Sequence, residues 1–275
     1  MFVRSKLFKG VNGLLRRYYS ELVIVQENEG IRRIVMMDDK TRNSMTIEMT
    51  NQLLRAVTYH VTGPELRAIV ISSGARMFSS GHNLKDLASS EGRKVFPLFS
   101  ELMLAIQACP VPVITAVDGA AVAAGLQLVA QSDICVASTK STFSTPGANY
   151  GVFCHTPGIP LSRSVSPKTA AYMLFTGHPL TAQEAMDKGL ISKVVDSSEL
   201  EKEVENICDA IKAKSKVVVS FGKKFFYKQL EMDRRSAYHK GAKVMNVALD
   251  FVDGVEGLRS FSEKRKAQWK HVKQV

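Results

Sequence analysis

The sequence is poor in several features that would each point to a different class of protein. Only four of its 275 residues are cysteine, at Cys109, Cys135, Cys154 and Cys208. They stand too far apart for a CxxC ligand pair, and Cys135 falls inside a run, 133–137, that reads as buried strand. A disulfide-stapled scaffold is thereby excluded, and free thiols in a reducing compartment are expected. No apolar stretch approaches the length of a membrane span. No segment repeats, and none is of low complexity. Residues 1–19 contain no acid, only Arg4, Lys6, Lys9, Arg16 and Arg17. These five supply +5 of the formal net charge of +11 and leave +6 for the rest of the chain. A remainder so modestly basic, without an aromatic-basic RNA motif, argues against a nucleic-acid partner and is compatible with a small polyanionic ligand.

A chain of this length at 45% hydrophobic residues builds one large α/β domain or two small ones and buries roughly 75% of its unfolded surface. Residues 1–19 intersperse basic side chains with Phe2, Leu7, Phe8, Leu14 and Leu15, the composition of a mitochondrial transit peptide, with processing expected near Ser20. A basic membrane-surface or disordered tail is the alternative. Residues 20–26 and 31–37 are short β-branched runs around an Asn28-Glu29-Gly30 turn and read as a hairpin. Helical periodicity follows over 46–60, ended by Gly63-Pro64, and then a buried parallel-type strand at 67–72. After the loop 73–87 come a helix over 95–109, stopped by Pro110 and Pro112, an apolar strand through Val113 and Val117, and a strand at 134–138. Alternating strands and helices indicate a parallel sheet with crossovers. Beyond Pro146 helices dominate, at 168–175, 181–188 (with Thr181 and Glu184 as a capping box), 198–212 and onward to 270, with 191–195 the one clear strand. The organisation is a leader, 1–19, a sheet-rich core, 20–195, and a helical C-terminal region, 196–275.

The stretch 116–133, AVDGAAVAAGLQLVAQSD, has almost no side chains between Ala120 and Gly125. A helix that starts with such residues leaves its first N–H groups unpaired and open to a ligand oxygen carrying partial negative charge, as in an oxyanion hole. Tight packing of that helix against a strand accounts for the same residues.

FSSGHNLKDL at 78–87 together with PVPVITAVDGAAVAAGLQLVAQSD at 110–133 resembles the two signature segments of the enoyl-CoA hydratase/isomerase (crotonase) superfamily. The resemblance continues through FSTPGANYG at 143–151, FTGHPLTAQEAMDKGLISKVV at 175–195 and EGLRSFSEKRKAQW at 256–269, so it spans nearly everything after Ser20. It implies an α/β fold, a spiral of ββα units, with a helical C-terminal region that forms homotrimers or hexamers. It also implies an acyl-CoA ligand, no further cofactor or metal, a place in fatty-acid metabolism and, with the leader, the mitochondrial matrix. By resemblance the thioester oxygen is held by the N–H groups of His82 and Ala124. CoA is gripped by the first segment, His82, Asn83, Leu84 and Lys85, and by Phe261 and Lys264 of a neighbouring subunit.

The family's two hydratase glutamates correspond here to Gln127 and Gly147. An amide orients water but exchanges no proton near neutral pH, and glycine offers no group at all. Each lost acid–base group removes roughly 10² to 10⁴ in rate. The resemblance therefore implies a protein that holds and polarises an acyl-CoA without the conventional hydration pair. The alternatives are a hydro-lyase, decarboxylase or isomerase working through other residues, and a non-catalytic acyl-CoA sensor. His82 either contributes only its N–H or takes a chemical role, and Cys154 and His155 either pack or face the acyl group. Asn83 and Asp118, where the family has aspartate and asparagine, read as cap and turn residues. Lys223, Lys224 and Lys228 read as a solvated helix face, with a CoA-phosphate contact as the alternative.

Overall fold

The structure, a computed structural model, describes residues 16–19 and 22–272. Most of the expected leader and the expected processing site at Ser20 lie outside the described residues. Four residues assigned to the expected leader, β1 (Arg16–Tyr19), pair antiparallel with β2 (Val23–Asn28). The expected hairpin joins β2 to β3 (Ile31–Met36). Its turn residues Glu29 and Gly30 both have positive φ, 47° and 79°, the two-residue geometry whose twist matches that of the strands. Thr46 then caps α1 (Ile47–Thr58), its hydroxyl accepting from the Met49 N–H at 3.0 Å, and the helix buries Met49, Leu53, Ala56 and Val57.

Next come β4 (Ala68–Ser73), a one-turn helix α2 (Leu84–Leu87), α3 (Gly92–Ala108), β5 (Val113–Val117), β6 (Ala120–Val122), α4 (Ala124–Gln131), β7 (Ile134–Ser138) and β8 (Thr142–Ser144). A 3₁₀ turn over Pro146–Tyr150 leads to α5 (His155–Ser164), α6 (Pro167–Thr176), β9 (Leu180–Thr181), α7 (Ala182–Asp187) and β10 (Lys193–Val195). The chain closes with α8 (Leu200–Lys212), α9 (Lys216–Gln229), α10 (Arg234–Leu249) and α11 (Val252–Ser262). The capping box on α7 is present as expected, between Thr181 and Glu184.

Among the described residues the main sheet runs β1-β2-β3-β4-β5-β7-β10, parallel from β3 onward. Its central strands read as unbroken apolar runs because both faces are covered. Ile69, Ile71 and Val113 join the core with Leu53, Phe99 and Leu102, while Val70, Ile114 and Val136 pack with Val204 and Cys208 of α8. All four cysteines are free and buried.

Two expectations are corrected. The small-residue stretch does not begin a helix at Ala120. Residues Ala120–Val122 form β6, which pairs with β8 in a second sheet, β6-β8-β9, and α4 starts only at Ala124. Strands of two or three residues carry too little alternation to be read from sequence. Lys223 is not on a solvated face either. Its side chain is only 7% exposed, and its Nζ donates to the carbonyls of Ile106 and Val111 at 3.1 Å and to Asp133 Oδ2 at 2.6 Å. Asp133 also accepts from the Tyr227 hydroxyl at 2.7 Å and the Val113 N–H at 2.6 Å. This cluster ties α9 to the end of α3 and the start of β5, and Lys224 and Lys228 remain exposed.

Removing one member of a buried charged pair typically costs about 3–5 kcal/mol because the other is left uncompensated. Lys223→Met is therefore expected to lower the unfolding free energy by about 3 kcal/mol in a denaturant titration, and Lys224→Met by less than about 0.5 kcal/mol.

Candidate active site

Two segments far apart in sequence cross here on their backbones. Ser79 forms a parallel bridge with Ala121: the Ser79 N–H donates to the Ala120 carbonyl at 3.1 Å, and the Val122 N–H donates to the Ser79 carbonyl at 2.9 Å. The glycines permit the approach. Gly81 has φ of +90°, and a methyl group on it would meet the Ala123 Cβ and Val122 carbonyl at 3.0 Å and the Ala124 nitrogen at 3.5 Å. A methyl on Gly125 would meet Ser79 Cβ at 2.7 Å. Gly81-His82 is thus laid directly against Ala123-Ala124. Among the described residues, neither the His82 nor the Ala124 N–H finds an acceptor.

Ala123 is the strained point. Its φ of 49° and ψ of −109° lie where a side chain costs on the order of 1–3 kcal/mol. Its N–H donates to the Ser144 carbonyl at 2.8 Å and its carbonyl accepts from the Gln127 N–H at 2.9 Å, so strand and helix hold it in place. At this residue the chain leaves the ladder of β6 and enters α4, whose first residue is Ala124. Unpaired N–H groups at a helix start suit an oxygen on which negative charge develops.

A cavity of about 380 Å³ adjoins the crossing, lined by Ser80, His82, Leu84, Leu87, Phe96, Val122, Ala123, Pro146, Gly147, Tyr150, Val152, Phe153, Cys154, His155, Thr156 and Pro157. The lining is mainly apolar and, among the described residues, carries no carboxylate, ammonium or guanidinium group. The His82 ring packs edge-on to Phe96 and Phe99, with centroids 5.3 and 4.9 Å away. Its Nδ1 lies 3.4 Å from the Met45 carbonyl oxygen, and its Nε2 is buried without a partner among the described residues. Burial pushes the imidazole below its ordinary value of 6.5, toward the neutral form.

The other residues singled out in the sequence fall into three groups. Asn83 is a cap: its Oδ1 accepts from the Lys85 N–H at 2.9 Å, and its amide donates to Ser44 Oγ at 3.2 Å. Asp118 lies between β5 and β6, and its carboxylate pairs with Lys140 at 3.0 Å and accepts from the Ser197 hydroxyl at 3.1 Å. Gln127 is buried, with its Oε1 unpartnered among the described residues, and Gly147 lines the cavity. A methyl group at Gly147 would overlap the Val152 carbonyl and lie 2.7 Å from Cys154 Sγ, so the site is packed around the missing side chain. Burial also raises the Cys154 thiol above its ordinary range. His155 is exposed, its Nδ1 on the Phe153 carbonyl at 3.0 Å. Lys85 is exposed at the edge of α2. Phe261, 84% exposed, and Lys264 do not line the cavity of their own chain. Phe96, Leu87 and Tyr150 line it without any local sequence signal, because only the folding of α2, α3 and the 3₁₀ turn brings them there.

A family model described as enoyl-CoA hydratase/isomerase matches residues 26–273. The human protein "Enoyl-CoA hydratase domain-containing protein 3, mitochondrial" is 46% identical over 247 residues, covering 88% of this chain and 82% of its own. The mouse protein of the same description is 44% identical over 254 residues, covering 91% and 85%. A crystal structure of the human protein aligns with a TM-score of 0.89 at 45% identity over 90% of this chain and all of that one, and an enoyl-CoA hydratase from Mycobacterium smegmatis aligns with a TM-score of 0.85 at 35% identity over 94% and 99%.

Burial of His82 sets a pH dependence. The unfolded chain takes up this proton near pH 6.5 and the folded chain only at lower pH, so its contribution to stability is lost as pH falls below 6.5. In urea titrations at pH 7 and pH 5 the loss on acidification is expected to be smaller for His82→Phe than for the parent. An equal loss would show that the buried imidazole is not what titrates.

Proposed function

The chain belongs to the enoyl-CoA hydratase/isomerase family, and from that premise we propose that it binds acyl-CoA and holds the thioester carbonyl oxygen between the main-chain N–H groups of His82 and Ala124. The observation that carries this reading is Gly81, whose missing side chain lets His82 lie beside Ala124 with both N–H groups unused among the described residues. Fixed donors aimed at developing charge act strongly where water is excluded, each worth about 2.7–4 kcal/mol in a transition state. The apolar cavity supports the acyl chain as its occupant, and exposed Lys85 is available to the phosphates or adenine of CoA.

Conventional hydration is not its reaction. Gln127 and Gly147 occupy the positions of the family's acid–base pair, and the packing around Gly147 leaves no room for a side chain. The chain works as a homotrimer or hexamer in which Phe261 and Lys264 of one subunit reach the CoA held by the next. Exposed apolar side chains on α9–α11 support association, among them Phe226, Tyr238, Met245 and Phe261, at 54–84% exposure. The basic leader and the mitochondrial relatives support a mitochondrial location, in the matrix, and a role in fatty-acid metabolism.

Purified protein is expected to bind hexanoyl-CoA in calorimetry and to hydrate crotonyl-CoA at least about 10²-fold more slowly than a hydratase with both glutamates. Absence of binding, or hydration at ordinary hydratase rates, would contradict the reading. Gly81→Ala, which forces a side chain into the crossing, is expected to abolish binding. Gly147→Glu is expected not to restore hydration, because the new side chain has no space to enter.

A further inference from the structure

We propose that residues 265–272 form a strap over the helical region, latched at its end by His271, and that protonation of this imidazole releases the strap. The device is independent of the acyl-CoA reading.

The strap is built on α11. Lys264, with φ of 52°, ends the helix, and the Arg265 N–H bonds back to the Ser260 carbonyl at 3.0 Å, the long-range bond of a Schellman turn. The chain then runs back over one helix face, where Asp253, Glu256 and Gly257 stand three and four residues apart. Glu256 takes the Arg265 guanidinium through both oxygens, at 2.6 and 2.9 Å, and accepts from the Gln268 N–H at 2.8 Å. Gly257 makes room for Trp269: a methyl group there would lie 3.5 Å from the ring. The Trp269 indole donates to the Ala213 carbonyl at 2.8 Å. Asp253, only 1% exposed, accepts from the Lys270 and His271 N–H groups at 2.7 and 2.9 Å and from the Ser215 hydroxyl. A charge so deeply buried persists only while such donors surround it, so the strap and the start of α9 are tied to one carboxylate.

The end of the strap meets the start of a helix. Lys216 is the first residue of α9, so its N–H has no acceptor within the helix; it donates to His271 Nδ1 at 3.1 Å. A main-chain N–H only donates, so the contact exists only while Nδ1 is bare and the ring is neutral, with its hydrogen on Nε2. Protonation sets one donor against another and places a cation at the positive end of the helix.

The surroundings favour the neutral ring. Burial, followed by the charges of Arg67 and Lys216, pushes the imidazole below its ordinary value of 6.5 against the opposing pull of Asp253 and Glu65. The ring also lines a polar cleft of about 590 Å³, together with Glu27 and Glu29 of the hairpin, His60 and Glu65 of the loop after α1, Arg67 and Lys212 of α8. With the folded value below the unfolded one, docking is complete above about pH 6.5 and is lost as pH falls below it.

Trp269 is the only tryptophan of the chain, so its emission reports on the strap. The full chain is titrated from about pH 7.5 to about pH 5 while acrylamide quenching of this emission and far-UV circular dichroism are followed. In the wild type the quenching constant is expected to rise at least about twofold, with a midpoint below pH 6.5 and an unchanged helix signal, because a local opening costs less than unfolding. His271→Gln, whose side-chain oxygen accepts without titrating, is expected to keep the low quenching throughout. His271→Ala is expected to show the acid value already at neutral pH. His60→Gln, which removes the other imidazole of the cleft, is expected to keep the wild-type midpoint. Quenching that does not change with pH in the wild type overturns the proposal, as does a wild-type transition retained by His271→Gln or lost in His60→Gln. Loss of the helix signal together with docking also overturns it.

Discussion

The bridge between Ser79 and Ala121 is the contact on which the site depends. It joins a loop that follows β4 to a strand that follows β5, and its two hydrogen bonds fix the separation of everything after them on both segments. Two residues beyond Ser79 comes Gly81, and two beyond Ala121 comes Ala123. The segments are so close that a methyl group on Gly125 would overlap Ser79, and one on Gly81, where φ is +90°, would stand only 3.0 Å from the Ala123 Cβ and the Val122 carbonyl. Small residues in both segments are thus a steric requirement of the crossing, and the unpaired N–H groups of His82 and Ala124 are its product. The strain at Ala123 is maintained by the same framework, through the Ser144 carbonyl on one side and α4 on the other.

The crossing accounts for what the site can hold, while the chemistry it offers depends on what surrounds it. An apolar cavity with a neutral histidine and no carboxylate differs physically from one built to activate water. Gly147 shows the difference most clearly. The Val152 carbonyl and the Cys154 sulfur fill the space that a side chain would need, so a carboxylate cannot be added at this position by substitution alone. Gln127 offers an amide that accepts no proton near neutral pH, and its buried oxygen is left without a partner among the described residues.

Much of this was legible in the sequence because it is locally encoded. The hairpin is announced by Glu29-Gly30, α7 by Thr181 and Glu184, and the buried strands by their unbroken apolar runs. The pairing of 78–87 with 110–133 was legible through resemblance, although each segment alone is compatible with close packing. What was not legible is set by contacts between distant residues. The salt bridge of Lys223 with Asp133 spans 90 positions, and nothing near Lys223 distinguishes it from its exposed neighbours Lys224 and Lys228. The second sheet was missed because β6, β8 and β9 are too short to show a period. The role of Phe96 depends on how α3 is laid against the loop that carries His82.

Vibrational spectroscopy reads the polarisation of a thioester carbonyl by the two main-chain donors at the atom concerned. With hexanoyl-CoA labelled with ¹³C at the carbonyl, the difference spectrum between bound and free ester isolates that stretch. Two N–H groups on the oxygen are expected to move it to lower frequency in the wild type. A bound ester whose carbonyl stretch stays at the free-ester frequency would contradict the assignment of His82 and Ala124 as its cradle.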